Sequence, residues 1–444
     1  MKARLKLYLF ALTAILSACQ LYAVTVQTVD FDKDGNPDYI VSNKFFTAFV
    51  ISPGAKLLDQ AATGTFMPGW PKEILNASVE KSPGGNNDHG VKFGLSQIFN
   101  PPTFTPPGQE KTAPAEEKTD EPRRDSASLN QTTDVPWQSS MEKNEKETTI
   151  SFSLEVQTPK EKSYKLRIDA KFTESSKITV KGVLFNTGTE TMSTTVSPLP
   201  FFNINYEALN PTSWISIPVK RSFNAGDKKI VGINPDPVPV DKIMKYTEYY
   251  EDRISKAERW VAAGGVADKG ICAILTKNPV AKIIFWKDND CFSLDQFIRI
   301  EAAPGQRVEW EWTILFGKGL DAVSKVTESG LYSIKNVNVR DSSEVTISYL
   351  PSKALDGVSL DLTLNTPEGK MIMNKNKEFA ATSPQNPGKV KLNLPPDMKN
   401  KRYLLDLEFL SAGVTIDQFT YWLNPPEKPV VPAPATPSAA TPHQ

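Results

Sequence analysis

Residues 303–314 read Ala303-Pro304-Gly305-Gln306-Arg307-Val308-Glu309-Trp310-Glu311-Trp312-Thr313-Ile314. The first four are turn chemistry. Proline presets one corner of the backbone, and glycine accepts the left-handed geometry of the next. From Arg307 to Ile314 polar and apolar side chains alternate, the pattern of a strand with one buried face. Trp310 and Trp312 stand two residues apart, so they share that face and belong to the core.

Working outward, the same pattern recurs over residues 39–51, 148–156, 163–172 and 177–185, with turn residues between the runs. Beyond Gly330 it resets into short runs at 344–349, 358–364, 389–394 and 403–409, separated by Pro, Gly, Asn and Asp. The chain is therefore all-β, with a large domain over 24–328 and a smaller immunoglobulin-like β-sandwich over 331–424. One segment departs from this. In 241–257, Ile243, Thr247, Tyr250, Ile254 and Ala257 fall at helical spacing, with Asp241 as N-cap and Pro239 just outside, which predicts one amphipathic helix.

Composition narrows the function classes. The chain has 444 residues, 51 basic and 51 acidic side chains and two histidines. Zero net charge removes the footprint of a nucleic-acid binder. Two histidines exclude His-rich metal chemistry. The 35 prolines are clustered. Residues 101–146 are rich in Pro, Glu, Lys, Thr and Ser and too poor in apolar side chains to offset ordering, so they read as a disordered insertion with Trp137 as a tack. Residues 425–444 form an extended proline-rich tail.

Lys2, Arg4 and Lys6 precede a short apolar run from Leu7 to Leu16, which is a secretory signal and too short to span a bilayer comfortably. Leu16-Ser17-Ala18-Cys19 resembles the bacterial lipobox. That resemblance implies removal of residues 1–18, lipidation of Cys19 and, with Gln20 next, a periplasm-facing outer-membrane lipoprotein. Cleavage after Ala23 is the plain alternative. Two cysteines are left, Cys272 and Cys291. In an oxidising compartment they read either as a disulfide, which stabilises by about 3 kcal/mol, or as two buried thiols.

Asp30, Asp32, Asp34, Gly35 and Asp38 form DxDxDGxxD, with Asn36 inside it. Converging hard oxygen ligands around a glycine turn suit Ca²⁺ in a structural role. The motif resembles the calcium loops of integrin-type β-propeller repeats, here in one copy. The other reading is a polar turn before a strand.

Three phrases carry a family resemblance: 41–58 with its Pro53-Gly54-Ala55 turn, Ser197-Pro198-Leu199-Pro200-Phe201-Phe202-Asn203-Ile204-Asn205, and the opening phrase 303–314. In order and spacing they resemble galactose-mutarotase-like β-supersandwiches over 24–328. The resemblance implies a supersandwich and carbohydrate as ligand. It also implies histidines around a sugar ring, and here the pattern departs: Phe201-Phe202-Asn203 has no histidine beside it, and His89 stands alone in its domain. Ligand contacts are expected at His89, in a Gly/Asn-rich loop, at Trp214, and at Tyr206 and Arg221 near the central phrase. No nucleophile elbow, Walker loop or HExxH is present. Three readings stand: non-catalytic carbohydrate binding on a lipid-anchored envelope protein, an envelope assembly protein contacting other proteins, or an epimerase or lyase using groups other than histidine.

Overall fold

The computed structural model describes residues 24–29, 37–50, 65–66, 138–156, 163–198, 201–202, 213–225, 228–234, 236–265, 270–287, 292–339, 342–394 and 402–423. Within them the chain is all-β, and the regular helical structure is a single 3₁₀ turn at Val240–Lys242.

The N-terminal part begins with a four-stranded meander of β1 (Thr25–Val29), β2 (Asp38–Ser42), β3 (Thr47–Val50) and β4 (Thr65–Phe66). Next come β5 (Gln138–Lys143), β6 (Glu147–Val156), β7 (Tyr164–Thr173), β8 (Lys177–Asn186), β9 (Met192–Val196) and β10 (Phe201–Phe202). They are followed by β11 (Trp214–Ser216), β12 (Val219–Ala225), β13 (Lys228–Asn234), β14 (Val238–Pro239) and β15 (Tyr246–Tyr250). The part ends with β16 (Trp260–Gly264), β17 (Gly270–Thr276), β18 (Val280–Lys287), β19 (Phe292–Ala302) and β20 (Arg307–Lys318). These form a nine-stranded sheet, β14-β11-β16-β17-β20-β8-β7-β6-β5, and a five-stranded sheet, β10-β19-β18-β15 with β9 also on β19. β12 and β13 form a two-stranded sheet of their own, with Val219 of β12 also bridging Ile254.

One apolar core joins the inner faces of the three sheets. Ile150, Phe152, Ile168, Val180, Trp310 and Trp312 come from the nine-stranded sheet, Ile283, Phe285, Leu294 and Ile298 from the five-stranded one, and Val41, Phe46 and Val50 from the meander. The opening phrase folds as its residues dictate. Ala303–Gln306 is a turn in which Gly305 takes φ +74° and the Gln306 amide donates to the Ala303 carbonyl at 2.9 Å. Trp310 and Trp312 are buried, edge to face at 6.4 Å between centroids.

Across the nine-stranded sheet the strands read differently because their surroundings differ. β7 and β8 alternate buried and more exposed residues, whereas β16 is buried at every position and β17 at all but one. On β16 and β17, Val261, Ala263, Cys272 and Ile274 face the main core. Trp260, Ala262, Ile271 and Ala273 face a second cluster with Leu320, Val323, Val326, Leu331 and Leu350. A strand covered on both faces has no polar side to show.

That second cluster leads into the C-terminal sandwich. Its strands are β21 (Lys325–Val326), β22 (Gly330–Val339), β23 (Ser342–Pro351), β24 (Val358–Asn365), β25 (Met371–Phe379), β26 (Gly388–Leu394), β27 (Tyr403–Ser411) and β28 (Val414–Leu423). They make two antiparallel sheets, β21-β22-β23-β26 and β25-β24-β27-β28, around a core that includes Tyr332, Ile347, Leu362, Leu407 and Phe409. This is an immunoglobulin-type sandwich in which β25 stays beside β24 and β26 returns to β23. With β21 paired to β22, its strands begin at Lys325.

Three sequence expectations are corrected. Residues 241–257 are not a helix: after the 3₁₀ turn, β15 pairs with β18, and a turn leads to Ile254, which bridges Val219. The Tyr246-Thr247-Glu248-Tyr249-Tyr250 run is β-branched and aromatic, and an open edge of β18 outweighs the helical spacing. Residues 39–51 are not one strand. Asn43 Oδ1 accepts from the amides of Phe45 at 2.8 Å and Phe46 at 3.0 Å, folding the run into β2 and β3. Residues 138–143, within the expected insertion, form the edge strand β5, closed onto β6 by Asn144 Oδ1 accepting from Lys146 and Glu147.

Candidate functional site

The five-stranded sheet has an outer face opposite the core, and strand register lays it out in rows. Tyr246, Trp286 and Ser293 make one row, Glu248, Ile284 and Asp295 the next, and Tyr250, Lys282 and Phe297 the third. Directly paired residues on antiparallel strands point to the same side. The face thus combines aromatic rings with two carboxyls and one ammonium. Exposure falls from β15 toward β19: Tyr250 is exposed, Tyr246, Glu248, Lys282 and Trp286 are half-buried, and Ser293, Asp295 and Phe297 are buried.

The polar groups are tied together. The Tyr246 and Tyr250 hydroxyls both donate to the Glu248 carboxylate. Lys282 Nζ stands 3.8 Å from Glu248 Oε1 and 5.0 Å above the Phe297 ring. Asp295 Oδ2 accepts from Ser293 Oγ at 3.3 Å. Burial raises the Asp295 carboxyl to about 7, against smaller lowering by Ser293 and Lys282. Burial, together with Glu248 and Asp295, raises the Tyr246 phenol. One alternation on β15, Tyr-x-Glu-x-Tyr, supplies the aromatic and acidic rim, and β19 supplies the buried acid. Rings for stacking beside a few fixed polar groups make a surface that suits a polyol ring.

The residues expected from sequence fall elsewhere. Trp214 is buried in packing. It is 6% exposed, donates Nε1–H to the Gly265 carbonyl at 2.6 Å and lies in the cluster under the C-terminal sandwich. Its register partner Gly264 is required there, since a Cβ at that position would meet the Trp214 ring at 2.5 Å. Arg221 stands on β12 opposite Gly232, with its side chain outside the described residues, as are His89 and Tyr206. Cys272 is a free, buried thiol on the core side of β17, and burial raises its pKa. Its expected disulfide partner Cys291 lies outside the described residues, as do Cys19 and Asp30, Asp32, Asp34 and Asn36. Asp38 opens β2 opposite Val29, so the acidic segment connects the two strands of a hairpin. Among the described residues no group of three or more His, Cys, Asp or Glu could hold a metal ion, and no helix is long and apolar enough to cross a membrane.

Sequence reading missed Tyr246, Glu248, Tyr250, Lys282, Trp286 and Asp295 as a set. The signal was there in the alternation of 246–250, and the helical reading of that stretch hid it.

No protein-family model and no curated protein sequence matches the chain. Solved structures similar to it include a galactose 1-epimerase from Lactobacillus acidophilus, at 10% identity and TM-score 0.43, covering 67% of this chain and 100% of the other. A galactose mutarotase-like protein from Clostridium acetobutylicum aligns at 7% identity and TM-score 0.42, covering 66% and 99%. One from Lactobacillus casei aligns at 11% identity and TM-score 0.41, covering 63% and 99%.

Proposed function

We propose that this chain is a carbohydrate-binding protein of the bacterial cell envelope, carried on a lipid anchor at Cys19, with the outer face of the five-stranded sheet as its binding surface. The observation that carries the reading is the arrangement of Tyr246, Tyr250 and Trp286 around Glu248, Lys282 and Asp295 on one sheet face. The sequence resemblance over 24–328 and the export signal support it. Binding without turnover is the proposed activity, because the histidines that the resemblance implies are missing beside Phe201-Phe202-Asn203. The acidic segment from Asp30 to Asp38 is proposed as a structural Ca²⁺ loop.

The test is a thermal-shift and calorimetric scan of the full chain against a glycan panel, with and without Ca²⁺. A ligand that binds the folded state raises the melting temperature by mass action. The expected result is a shift with one sugar class, lost in Trp286→Ala and weakened in Tyr250→Ala. Sugar binding untouched by both substitutions would move the site off this face. Mass spectrometry of the mature chain tests the lipid on Cys19.

A further inference from the structure

The Asp295 carboxyl is short of hydrogen bonds. Oδ2 has Ser293, whereas Oδ1 is shielded from solvent and has no partner. Its residue is only 8% exposed. An unpaired buried carboxyl oxygen is costly, and a native side chain held so needs a reason. Glu248, in the same row, is the contrast, with two tyrosine hydroxyls and Lys282 around it. A second polar atom without a partner, Thr195 Oγ1, lies on the same outer face, where β9 pairs Thr195 with Arg299.

We propose that Asp295 is the ligand-selecting contact of this face, its Oδ1 accepting a hydrogen bond from a hydroxyl of an uncharged saccharide laid along β19. The proposal rests on the carbohydrate-binding reading above. The charge balance decides the ligand class. Lys282 on β18 faces Asp295, as do Tyr246, Glu248 and Tyr250 on β15, while Arg299 and Glu301 lie further along β19 and are exposed. β10 brings only Phe201 and Phe202. Lys282 already stands between two carboxyls, and Arg299 lies further along the strand with Glu301 on the same face, so a uronate would add a third negative charge to rows in which Lys282 is the one ammonium among the described residues. A neutral ring adds none.

The pH dependence has a definite sign. A hydroxyl that donates to Oδ1 favours the ionised carboxylate, so the sugar lowers the Asp295 pKa and its binding releases a proton. Affinity for a neutral sugar therefore rises as pH climbs through about 7 and levels off above it. A uronate does the reverse.

The experiment is calorimetry of the full chain with methyl glycosides of glucose, galactose and mannose, and with glucuronate, from about pH 5.5 to about pH 8.5. Neutral glycosides are expected to bind about tenfold tighter at the upper end, the worth of one hydrogen bond to a charged group. Asp295→Asn keeps the side-chain shape, and circular dichroism checks its fold. It is expected to flatten the pH profile and to weaken binding about tenfold at the upper end. If Asp295→Asn binds neutral glycosides as the parent does while Trp286→Ala abolishes binding, the carbohydrate reading stands and the Asp295 proposal falls. Glucuronate binding more tightly than the neutral glycosides at the upper end of that range would also overturn it. No binding of any sugar at any pH would overturn both.

Discussion

Two aspartates in this molecule sit in opposite situations. Asp417, on β28 beside the joint between the sandwiches, has a full set of donors on Oδ2: Thr327 at 2.7 Å, with Ser329 and Tyr332. Asp295, on the outer face of the five-stranded sheet, has one donor on one oxygen and none on the other. The donors of Asp417 come from 327–332, the turn between β21 and β22 and the start of β22, so it ties the two sheets of the C-terminal sandwich to each other. Nearby, Lys325 pairs with Glu258, which accepts Trp260 Nε1–H at 2.9 Å, and Lys325 Nζ lies 5.5 Å over the Phe419 ring. The difference teaches how to tell a structural carboxyl from a candidate ligand contact. The first is saturated by its own fold, and the second is left short by it.

The largest expected effect is at the joint. Trp260 is buried between the nine-stranded sheet and the C-terminal sandwich. Trp260→Ala is expected to destabilise by about 3–5 kcal/mol, from lost burial and the cavity left behind. Urea denaturation measures it, and a loss under about 1 kcal/mol would mean that the two sandwiches do not share that cluster in solution.

Next comes the pH dependence of Asp295. Its carboxyl is raised from 3.8 to about 7 in the folded chain. The folded state therefore holds the proton more tightly than the unfolded one. Its stabilising share is complete below about pH 4, is lost as pH rises through about 7, and amounts to about 2–4 kcal/mol. Asp295→Asn removes that share, so the variant gains on the parent as pH rises across this window. Denaturation midpoints of the two proteins at each end of the window measure it. A constant difference would place Asp295 in water rather than in a buried site. Asp417→Ala should cost less, about 1–3 kcal/mol, because three hydroxyls lose one acceptor, and urea denaturation reads that loss directly.

The fold was largely legible because alternation is a local signal. Residues 163–172 and 307–316 alternate, and both lie in strands of the nine-stranded sheet. The phrase Ala303-Pro304-Gly305-Gln306 folds as its turn chemistry dictates. Residues 241–257 misled because Ile243 and Ile254 are both buried, as a helix would have required, but between them lie the extended run Tyr246–Tyr250 and a turn. That outcome depends on the open edge of β18, a non-local fact. The site was illegible for the same reason. Glu248 and Asp295 are 47 positions apart in the numbering, and only the β15-β18-β19 register puts them in one row. Trp214 misled in the other direction: a ligand contact is expected there from sequence, while its burial comes from a glycine opposite and a second domain above.

The smallest effect tests whether unfavourable geometry is special to the outer face. Ala412 takes φ 51° and Gly413 φ 77° in the turn joining β27 to β28. Two positive φ values in a two-residue hairpin turn fit the right-handed twist of the flanking strands, and glycine is favoured at both. An L-residue in that region is disfavoured by about 1–2 kcal/mol, and glycine gives part of the difference back through a freer unfolded chain. Ala412→Gly is therefore expected to stabilise by about 0.5–1 kcal/mol, read as a small rise in melting temperature. Sugar binding should not change, because the turn is remote in sequence from β15, β18 and β19 and its cost is one of backbone geometry alone. A gain here would show that the molecule carries tolerable cost away from its outer face. The unpaired Oδ1 of Asp295 would then be distinguished by its chemistry, an acceptor awaiting a donor, and not by the mere fact of being unfavourable. A loss of stability would mean that Ala412 makes a packing contact outweighing its backbone, and the turn would no longer serve as the neutral reference for the two aspartates.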